Sequence, residues 1–321
     1  MHRSIFYGLF LTLLVVGGSV FYIVKKAFSK EFFAVLMQAD KRYILISVFF
    51  MLLYHTFDNL RLFVLARTMK LRYTFFYGYV VSFINTFGAT ITPAHLGGEF
   101  MSLYTLSRKG GKLHKVMSIV TMKTITGLTF FLIAFPYAGY QMYKNPQDAI
   151  RLFYVVAFFV LLGLFLYGAI RFFIRKNHTG NRKLSLKIKY TLKRYLVVLR
   201  LFLRKGRGGI LGACLSSFML YVCFLLSGAF LIKSFNQEAE LIRVVESQLL
   251  LLYALFISPT PGGSGVGEVG ALYVFEPFLG LGLLGGFSIL WRFITQYLSA
   301  MVGGILLSLM LLIDAKKFRN A

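Results

Sequence analysis

Two short segments of this sequence combine residue types that can bind a ligand within an apolar protein. Residues 92–99 read TPAHLGGE and residues 260–268 read TPGGSGVGE. Each begins with Thr-Pro, continues through small residues and reaches a glutamate that opens a new apolar run. Proline stops a helix, and glycine lets the backbone turn sharply and approach a ligand. A helix that restarts after such a break presents unpaired N–H groups that favour an anion.

We therefore treat both segments as candidate substrate-binding sites. Their candidate positions are Thr92, Pro93, His95, Gly97, Gly98, Glu99, Thr260, Pro261, Gly262, Gly263, Gly265, Gly267 and Glu268. Two interpretations of each glutamate stay open. The carboxylate caps its own helix, or it faces a hydrated cavity and binds a cation, a proton or a cationic headgroup. The matching positions of Glu99 and Glu268 favour the second, because a carboxylate exposed to lipid is costly.

Four further charged residues lie within long apolar runs. Asp58 and Arg61 are three residues apart and so share one face of a helix. A charge at the bilayer centre costs at least about 2.5–3.5 kcal/mol on insertion scales, so we expect such groups to turn inward and pair. Lys123 and Arg292 are predicted to neutralise the two glutamates or to bind a phosphate. The competing interpretation is snorkelling to the interface, which suits Arg61 and Lys123 better than Arg292.

No pattern typical of an enzyme accompanies these residues. The sequence has no Ser/His/Asp set, no zinc motif and no Walker loop. Cys214 and Cys223 lie in one apolar run without a Cys/His cluster nearby. We therefore predict no catalytic residue, no metal site and no cofactor.

The composition is that of a protein embedded in lipid. Apolar residues make up 58% of the chain and the mean hydropathy is +0.72, whereas soluble domains are about 45–50% apolar. The net charge of +25 comes mostly from Lys and Arg between apolar runs, which favours topology and anionic lipid headgroups over nucleic acid. The predicted partners are thus membrane lipids, with anionic phospholipid headgroups on the cytoplasmic face and no nucleic acid. Homo-oligomer formation is left open.

The elements that must position the charged residues are membrane-spanning helices, which need about 20 apolar residues each. Such runs lie near 5–24, 43–66, 74–92, 116–142, 149–170 and 210–232, and a longer one at 279–313 is a tilted, broken helix or more than one pass. Residues 93–106 and 245–278 are interrupted by Pro and Gly, which predicts re-entrant or broken helices. The fold class is all-α: a polytopic integral membrane protein with about seven to nine transmembrane helices.

We expect a single transmembrane domain over 1–321, made of two halves. The first half, 43–170, holds a broken hairpin at 74–106, and the second half, 210–313, holds one at 245–278. Between them, residues 171–209 carry 13 Lys and Arg and no acid, which predicts a cytoplasmic, amphipathic segment on the inner leaflet and a cytoplasmic C-terminus. The two hairpins then insert from opposite sides, as in inverted-repeat transporters.

At both segments the sequence resembles a known family, the lysylphosphatidylglycerol synthase transmembrane region, which is the flippase half of the multiple-peptide-resistance factor. Residues 92–99 with Arg108-Lys109-Gly110 are similar to its first signature, residues 259–268 to its second, and the segment around Arg292 to its final arginine-bearing helix. The resemblance extends over about 5–313. Residues 94 and 95 depart from the Pro-Gly-x-x-Gly-Glu form of the first signature, which leaves the headgroup preference open.

The resemblance implies a flippase-like transporter in the cell (inner, cytoplasmic) membrane. Its substrate would be an aminoacylated or glycosylated phospholipid or another lipid-linked molecule. The soluble synthase that attaches lysine to phosphatidylglycerol has no counterpart in this sequence, so lysyl transfer is not implied and we expect no enzyme. Two alternatives are an intramembrane enzyme acting on lipid headgroups and a secondary transporter of small ions or solutes.

Overall fold

The computed structural model of the chain describes residues 30–92, 95–144, 197, 200, 204, 206–258 and 260–320. The predicted spans 5–24 and 149–170 lie outside these residues, as do Pro93 and nearly all of the basic segment 171–209. The helices are α1 (Lys30–Gln38), α2 (Lys41–Thr68), α3 (Phe75–Ile91), α4 (Leu96–Ser107), α5 (Leu113–Lys144), α6 (Arg207–Lys233), α7 (Leu241–Ile257), α8 (Val266–Phe275), α9 (Leu281–Arg292) and α10 (Leu298–Asn320). Short 3₁₀ turns cover Pro261–Gly263 and Glu276–Phe278, and a π-helical turn covers Phe293–Tyr297.

Four helical segments of the described residues are long and apolar enough to cross a membrane: Lys41–Thr68, Leu113–Gln141, Arg207–Lys233 and Leu281–Lys316. At 1.5 Å per residue, even 27 residues reach about 40 Å, more than the ~30 Å hydrocarbon layer. The first three correspond to the predicted spans 43–66, 116–142 and 210–232. The described residues therefore form helices of membrane-spanning length, as the hydropathy predicts.

The long apolar run 279–313 lies almost entirely in one continuous helix. It is one unbroken helical rod, in which α9 passes through the π-helical turn into α10. A π-helical turn inserts one residue into an α-helix and is frequent at functional sites. Here it turns the side chains between Arg292 and Tyr297 toward the rest of the bundle, where several of them are buried.

The predicted span 74–92 contains a helix that is shorter than the hydrocarbon layer is thick. Its helix α3 has 17 residues, which reach only about 25 Å. Proline at position 93 disfavours helical geometry in the residue before it, so the helix ends there. The chain then passes through His95, whose φ of 58° is left-handed, and returns as α4.

Helices α3 and α4 form an antiparallel hairpin, the first hairpin. Near its open end, the Tyr77 hydroxyl donates a hydrogen bond to the Thr105 carbonyl over 2.8 Å. Near its tip the backbones touch, since a Cβ on Gly88 would lie 2.6 Å from the carbonyl oxygen of Gly97. Small residues of this kind let two helices pack at backbone contact.

Helices α7 and α8 form the second hairpin in the same way. A Cβ on Gly270 would lie 2.5 Å from the Leu251 side chain, and a Cβ on Gly263 would lie 2.7 Å from the Leu255 side chain. Because contacts farther from the tip join residues farther apart in the chain, the two helices run antiparallel. With 17 and 10 residues, both are shorter than the about 20 residues of a typical membrane-spanning helix.

The two hairpins enter the bundle from opposite ends and meet tip to tip. The open end of the first hairpin lies with the end of α10, since the Tyr104 hydroxyl donates to Asp314 over 2.7 Å. The second hairpin opens at the other end, where Asn236 donates to the Phe278 carbonyl over 3.0 Å. Between them, a Cβ on Gly262 would lie 2.9 Å from the Thr90 carbonyl oxygen. The left-handed φ of 58° at Gly262 allows this close approach.

Candidate functional site

A cavity of about 360 Å³ lies where the two hairpin tips meet the long helices. Its charged and imidazole-bearing lining residues are His55, Asp58, Arg61, His95, Glu99, Lys123 and Arg292. Hydroxyl and amide groups of Thr86, Thr90, Thr124, Thr295, Asn85 and Gln296 add further polar lining. The volume falls within the ~300–1,000 Å³ typical of small-molecule sites. An apolar helical bundle thus holds a cavity in which charged groups lie beside apolar side chains such as Phe131, Phe224 and Leu252.

Arg292 is the most deeply buried cation of this cavity, with 2% of its surface exposed. One terminal nitrogen of its guanidinium donates to the Gly262 carbonyl at the second tip, and its Nε lies 3.9 Å from Glu268 Oε1. A Cβ on Gly267 would lie 2.8 Å from the guanidinium carbon. Glycine at 267 therefore leaves the space that the guanidinium fills. The Arg292 Nε is buried without a hydrogen-bond partner in the described residues.

Both carboxylate oxygens of Glu268 accept hydrogen bonds that fix the second tip. Its Oε2 accepts a hydrogen bond from the Gly265 N–H over 2.6 Å, and its Oε1 accepts one from the Tyr297 hydroxyl over 2.7 Å. Its bond to the N-cap N–H is the glutamate half of a capping box at the start of α8, since Gly265 has no side chain to supply the other half. Glu268 is not among the residues that line the cavity. Of the two interpretations of Glu268, its hydrogen bonds show the capping of its own helix.

Glu99 has the surroundings that were expected of both glutamates. Its Oε1 lies 3.9 Å from the Lys123 ammonium, and both residues line the cavity. The other oxygen, Oε2, is buried and has no hydrogen-bond partner in the described part of the chain. Capping of α4 falls instead to Thr92, whose hydroxyl accepts from the Gly97 N–H over 2.7 Å. Glu99 thus lines the cavity and keeps one buried oxygen with unused acceptor capacity.

Asp58 and Arg61 form a buried ion pair at the edge of the same cavity. The Ser82 hydroxyl donates to Asp58 Oδ2 over 2.6 Å, and Arg61 donates to the Ser217 hydroxyl over 3.4 Å. Arg61 is 7% exposed and Lys123 is 4% exposed. Neither side chain snorkels, and each has an acidic partner, as inward-turned charges require.

Comparison with known proteins agrees with this membrane architecture. The family model for the lysylphosphatidylglycerol synthase TM region matches residues 9–303, nearly the whole chain. The chain belongs to this family. A UPF0104 membrane protein of Archaeoglobus fulgidus is 24% identical to it over 263 residues, which cover 77% of this chain and 80% of that protein. The resemblance found at the two segments is confirmed, and the chain is a membrane-embedded protein.

The structure divides the predicted site residues of this family member into two groups. The cavity is lined by Asp58, Arg61, His95, Glu99, Lys123, Gly262 and Arg292. The tips themselves are shaped by Thr92, Gly97, Gly98, Thr260, Pro261, Gly263, Gly265, Gly267 and Glu268, none of which lines it. One N–H group at each restarting helix is already bonded within the protein, that of Gly97 to Thr92 and that of Gly265 to Glu268, so these two are not free to bind an anion.

Two amides of the site were missed in the sequence. Gln296 projects from the π-helical turn and donates to the Thr90 hydroxyl over 3.0 Å, which ties the last helix to the first tip. Asn85 lies about two turns before that tip and lines the cavity. Each amide is a polar residue within an apolar run. That position is the sequence feature from which both could have been predicted as site residues. No group of three His, Cys, Asp or Glu side chains able to hold a metal ion occurs in the residues that the structure describes.

Proposed function

We propose that this member of the family is a lipid translocase, whose polar cavity carries a headgroup across the membrane while the acyl chains stay in lipid. The observation that carries the proposal is the 360 Å³ cavity between two hairpin tips, lined by buried charges of both signs. In this account the hairpins are re-entrant, inserted from opposite leaflets as an inverted repeat. Such an arrangement places a substrate site near the midplane, where either side can reach it.

The roles of the charged residues follow from their surroundings. The guanidinium of Arg292 and the ammonium of Lys123 bind the phosphate of the headgroup, which suits their burial and their loose 3.9 Å contacts with carboxylates. Glu99, with one oxygen lacking a partner, binds a cationic group of the headgroup. Glu268 acts as a positioning residue, since it fixes Tyr297 and the tip against which Arg292 lies.

We assign the end of the bundle that carries Arg108 and Asp314 to the cytoplasm. The loops at this end are basic, with Lys70, Arg72 and Lys109 among their residues, as the positive-inside rule requires of cytoplasmic loops. Juxtamembrane cations attract anionic phospholipids at about 1 kcal/mol each. The proposed setting is the cell membrane, with the inner leaflet as the face where anionic lipid accumulates.

The test is lipid movement in proteoliposomes that contain the purified full chain. Fluorescent lipids with different headgroups are supplied, and the fraction that reaches the opposite leaflet is followed by a reductant that cannot cross the membrane. Arg292→Gln is compared with Arg243→Gln, because the Arg243 side chain is 71% exposed and its ion pair is with Glu240 on the same turn of helix. We expect the first variant to lose translocation about tenfold or more, since a hydrogen bond to a charged group contributes about 1.5–3 kcal/mol.

Three outcomes separate this function from the alternatives. Lipid that crosses chemically unchanged, by mass spectrometry, supports translocation without an enzymatic step. Lipid with an altered headgroup would establish an intramembrane enzyme instead. Uptake of a labelled ion or solute with no lipid movement would establish a secondary transporter. Normal lipid movement by Arg292→Gln would remove Arg292 from the phosphate site.

A further inference from the structure

His55 is a buried histidine of α2 that lines the cavity, and the proposed headgroup site does not use it. It is 2% exposed. Both ring nitrogens have partners on other helices: Nδ1 lies 2.9 Å from the Ser82 hydroxyl on α3, and Nε2 lies 2.7 Å from the Ser299 hydroxyl on α10. A histidine held between two hydroxyl groups can exchange a proton without losing either hydrogen bond, because a hydroxyl both donates and accepts.

The contacts of Ser82 determine which ring nitrogen carries the proton. A serine hydroxyl has one hydrogen, and the Ser82 hydroxyl donates it to Asp58 Oδ2 over 2.6 Å. Asp58 is ion-paired to Arg61 and therefore accepts. The Ser82 oxygen must then accept its bond from His55, which assigns the hydrogen to Nδ1. The chain of donors runs from His55 through Ser82 to Asp58, and it leaves Nε2 as the nitrogen whose lone pair accepts a hydrogen bond from the Ser299 hydroxyl.

The charges around His55 are balanced in pairs. On its own helix Tyr54, Asp58 and Arg61 share the cavity with it; α5 contributes Lys123, and α6 contributes Tyr221. The first tip contributes His95 and Glu99, and α9 contributes Arg292. Arg61, Lys123 and Arg292 each lie near a carboxylate. An added proton on His55 is thus opposed by no unpaired cation of this set, and the Asp58 carboxylate stabilises it through Ser82.

From this geometry we propose that His55 Nε2 is a proton-binding site that couples a transmembrane proton gradient to the lipid movement proposed above. A proton from water on one side binds Nε2, the Ser299 hydroxyl rotates from donor to acceptor, and Nδ1–H stays bonded to Ser82. Release of the same proton to the other side restores the neutral ring. Ser82 lies on the first hairpin and Ser299 on the last helix. Protonation of Nε2 therefore reverses the hydrogen bond between His55 and the last helix, while the bond to the first hairpin is kept. The coupling step of this inference rests on the proposed function. The proton-binding site at His55 does not depend on that function.

The site is tested first without transport. The full chain, labelled with ¹⁵N-histidine, is placed in lipid bilayers, and the signal of His55 is assigned among the five histidines by its loss in His55→Asn. We expect the neutral ring to carry hydrogen at Nδ1 and to gain one at Nε2 as the pH is lowered. Ser82→Ala should reverse the tautomer to Nε2–H. A neutral ring with hydrogen on Nε2, or a ring that does not titrate before the protein unfolds, would overturn the proposal.

The coupling is tested in proteoliposomes with an imposed pH gradient. With one proton per lipid, a gradient of one pH unit should shift the steady-state ratio of lipid between leaflets about tenfold. His55→Asn should abolish the shift, and the control His114→Asn, at the start of α5, should keep it. A sodium gradient at equal pH should have no effect. If lipid moves but ignores the pH gradient, coupling is wrong and translocation stands. If no lipid moves, the proposed function fails, and the nuclear magnetic resonance result alone decides whether His55 binds a proton.

Discussion

Replacement of Gly267 by alanine is the sharpest probe of how the second tip positions Arg292. The added Cβ would lie 2.8 Å from the guanidinium carbon and 3.0 Å from its Nε and one terminal nitrogen, whereas ordinary contacts begin at 3.4 Å. The guanidinium must therefore move by roughly 0.6 Å or more from its present place beside the Gly262 carbonyl.

The size of the effect follows from the cost of overpacking. Adding a methyl group to a packed site costs about 1–3 kcal/mol, which corresponds to about a 5- to 150-fold loss if Arg292 must hold the substrate in its present place. Alanine is also the better helix former, by about 1 kcal/mol, so the loss of thermal stability should be smaller than the loss of function. We expect a strongly reduced translocation rate at a nearly unchanged unfolding temperature.

The assay pairs lipid translocation in proteoliposomes with thermal unfolding of the purified protein. Gly285→Ala is the matched control, because it is a helical glycine of α9 whose added Cβ meets nothing within 4 Å. It should translocate lipid at the normal rate. The reasoning is refuted if Gly267→Ala behaves like Gly285→Ala in both measurements, since the guanidinium would then tolerate the methyl group without functional loss.

Two further predictions concern stability and contrast a buried ion pair with a partly exposed one. Asp58→Asn leaves the buried Arg61 guanidinium without its counter-ion and should destabilise the protein by about 3–5 kcal/mol, seen as a clear fall in unfolding temperature. An unchanged unfolding temperature would contradict the pairing. Asp314→Asn removes the 2.5 Å contact to Arg108, where both side chains are 24% exposed, and should cost about 1 kcal/mol or less, with a small shift in the same measurement.

Local sequence patterns were sufficient for the long helices and for one ion pair. The apolar run predicted at 210–232 is helix Arg207–Lys233, and the run at 43–66 is Lys41–Thr68. Hydropathy over about 20 residues depends on the surrounding solvent rather than on remote contacts, so it locates such spans well. The spacing of Asp58 and Arg61 likewise needs only one helix, and the predicted neighbours are paired in the structure.

The different roles of the two glutamates could not be predicted in this way. Glu99 and Glu268 have matching local sequences, and Lys123 and Arg292 lie 3.9 Å from them, as was expected. The contact that was not predicted is that of Tyr297, 29 residues away, with Glu268. The contact between Gln296 and Thr90 joins residues 206 positions apart. These pairings depend on how hairpins and long helices pack in three dimensions. No local pattern contains that information.

The most direct test of the account is chemical access to the space between the tips. Cys214 and Cys223 are replaced by alanine, and a single cysteine is placed at Thr86, which lines the cavity, or at Leu132, whose side chain is 73% exposed on the outer surface of α5. A charged thiol reagent that cannot cross the membrane should modify the cysteine at position 86 and stop lipid translocation, and it should not modify the one at 132. If position 86 does not react, or if translocation continues after it has reacted, the cavity is not the route of the headgroup.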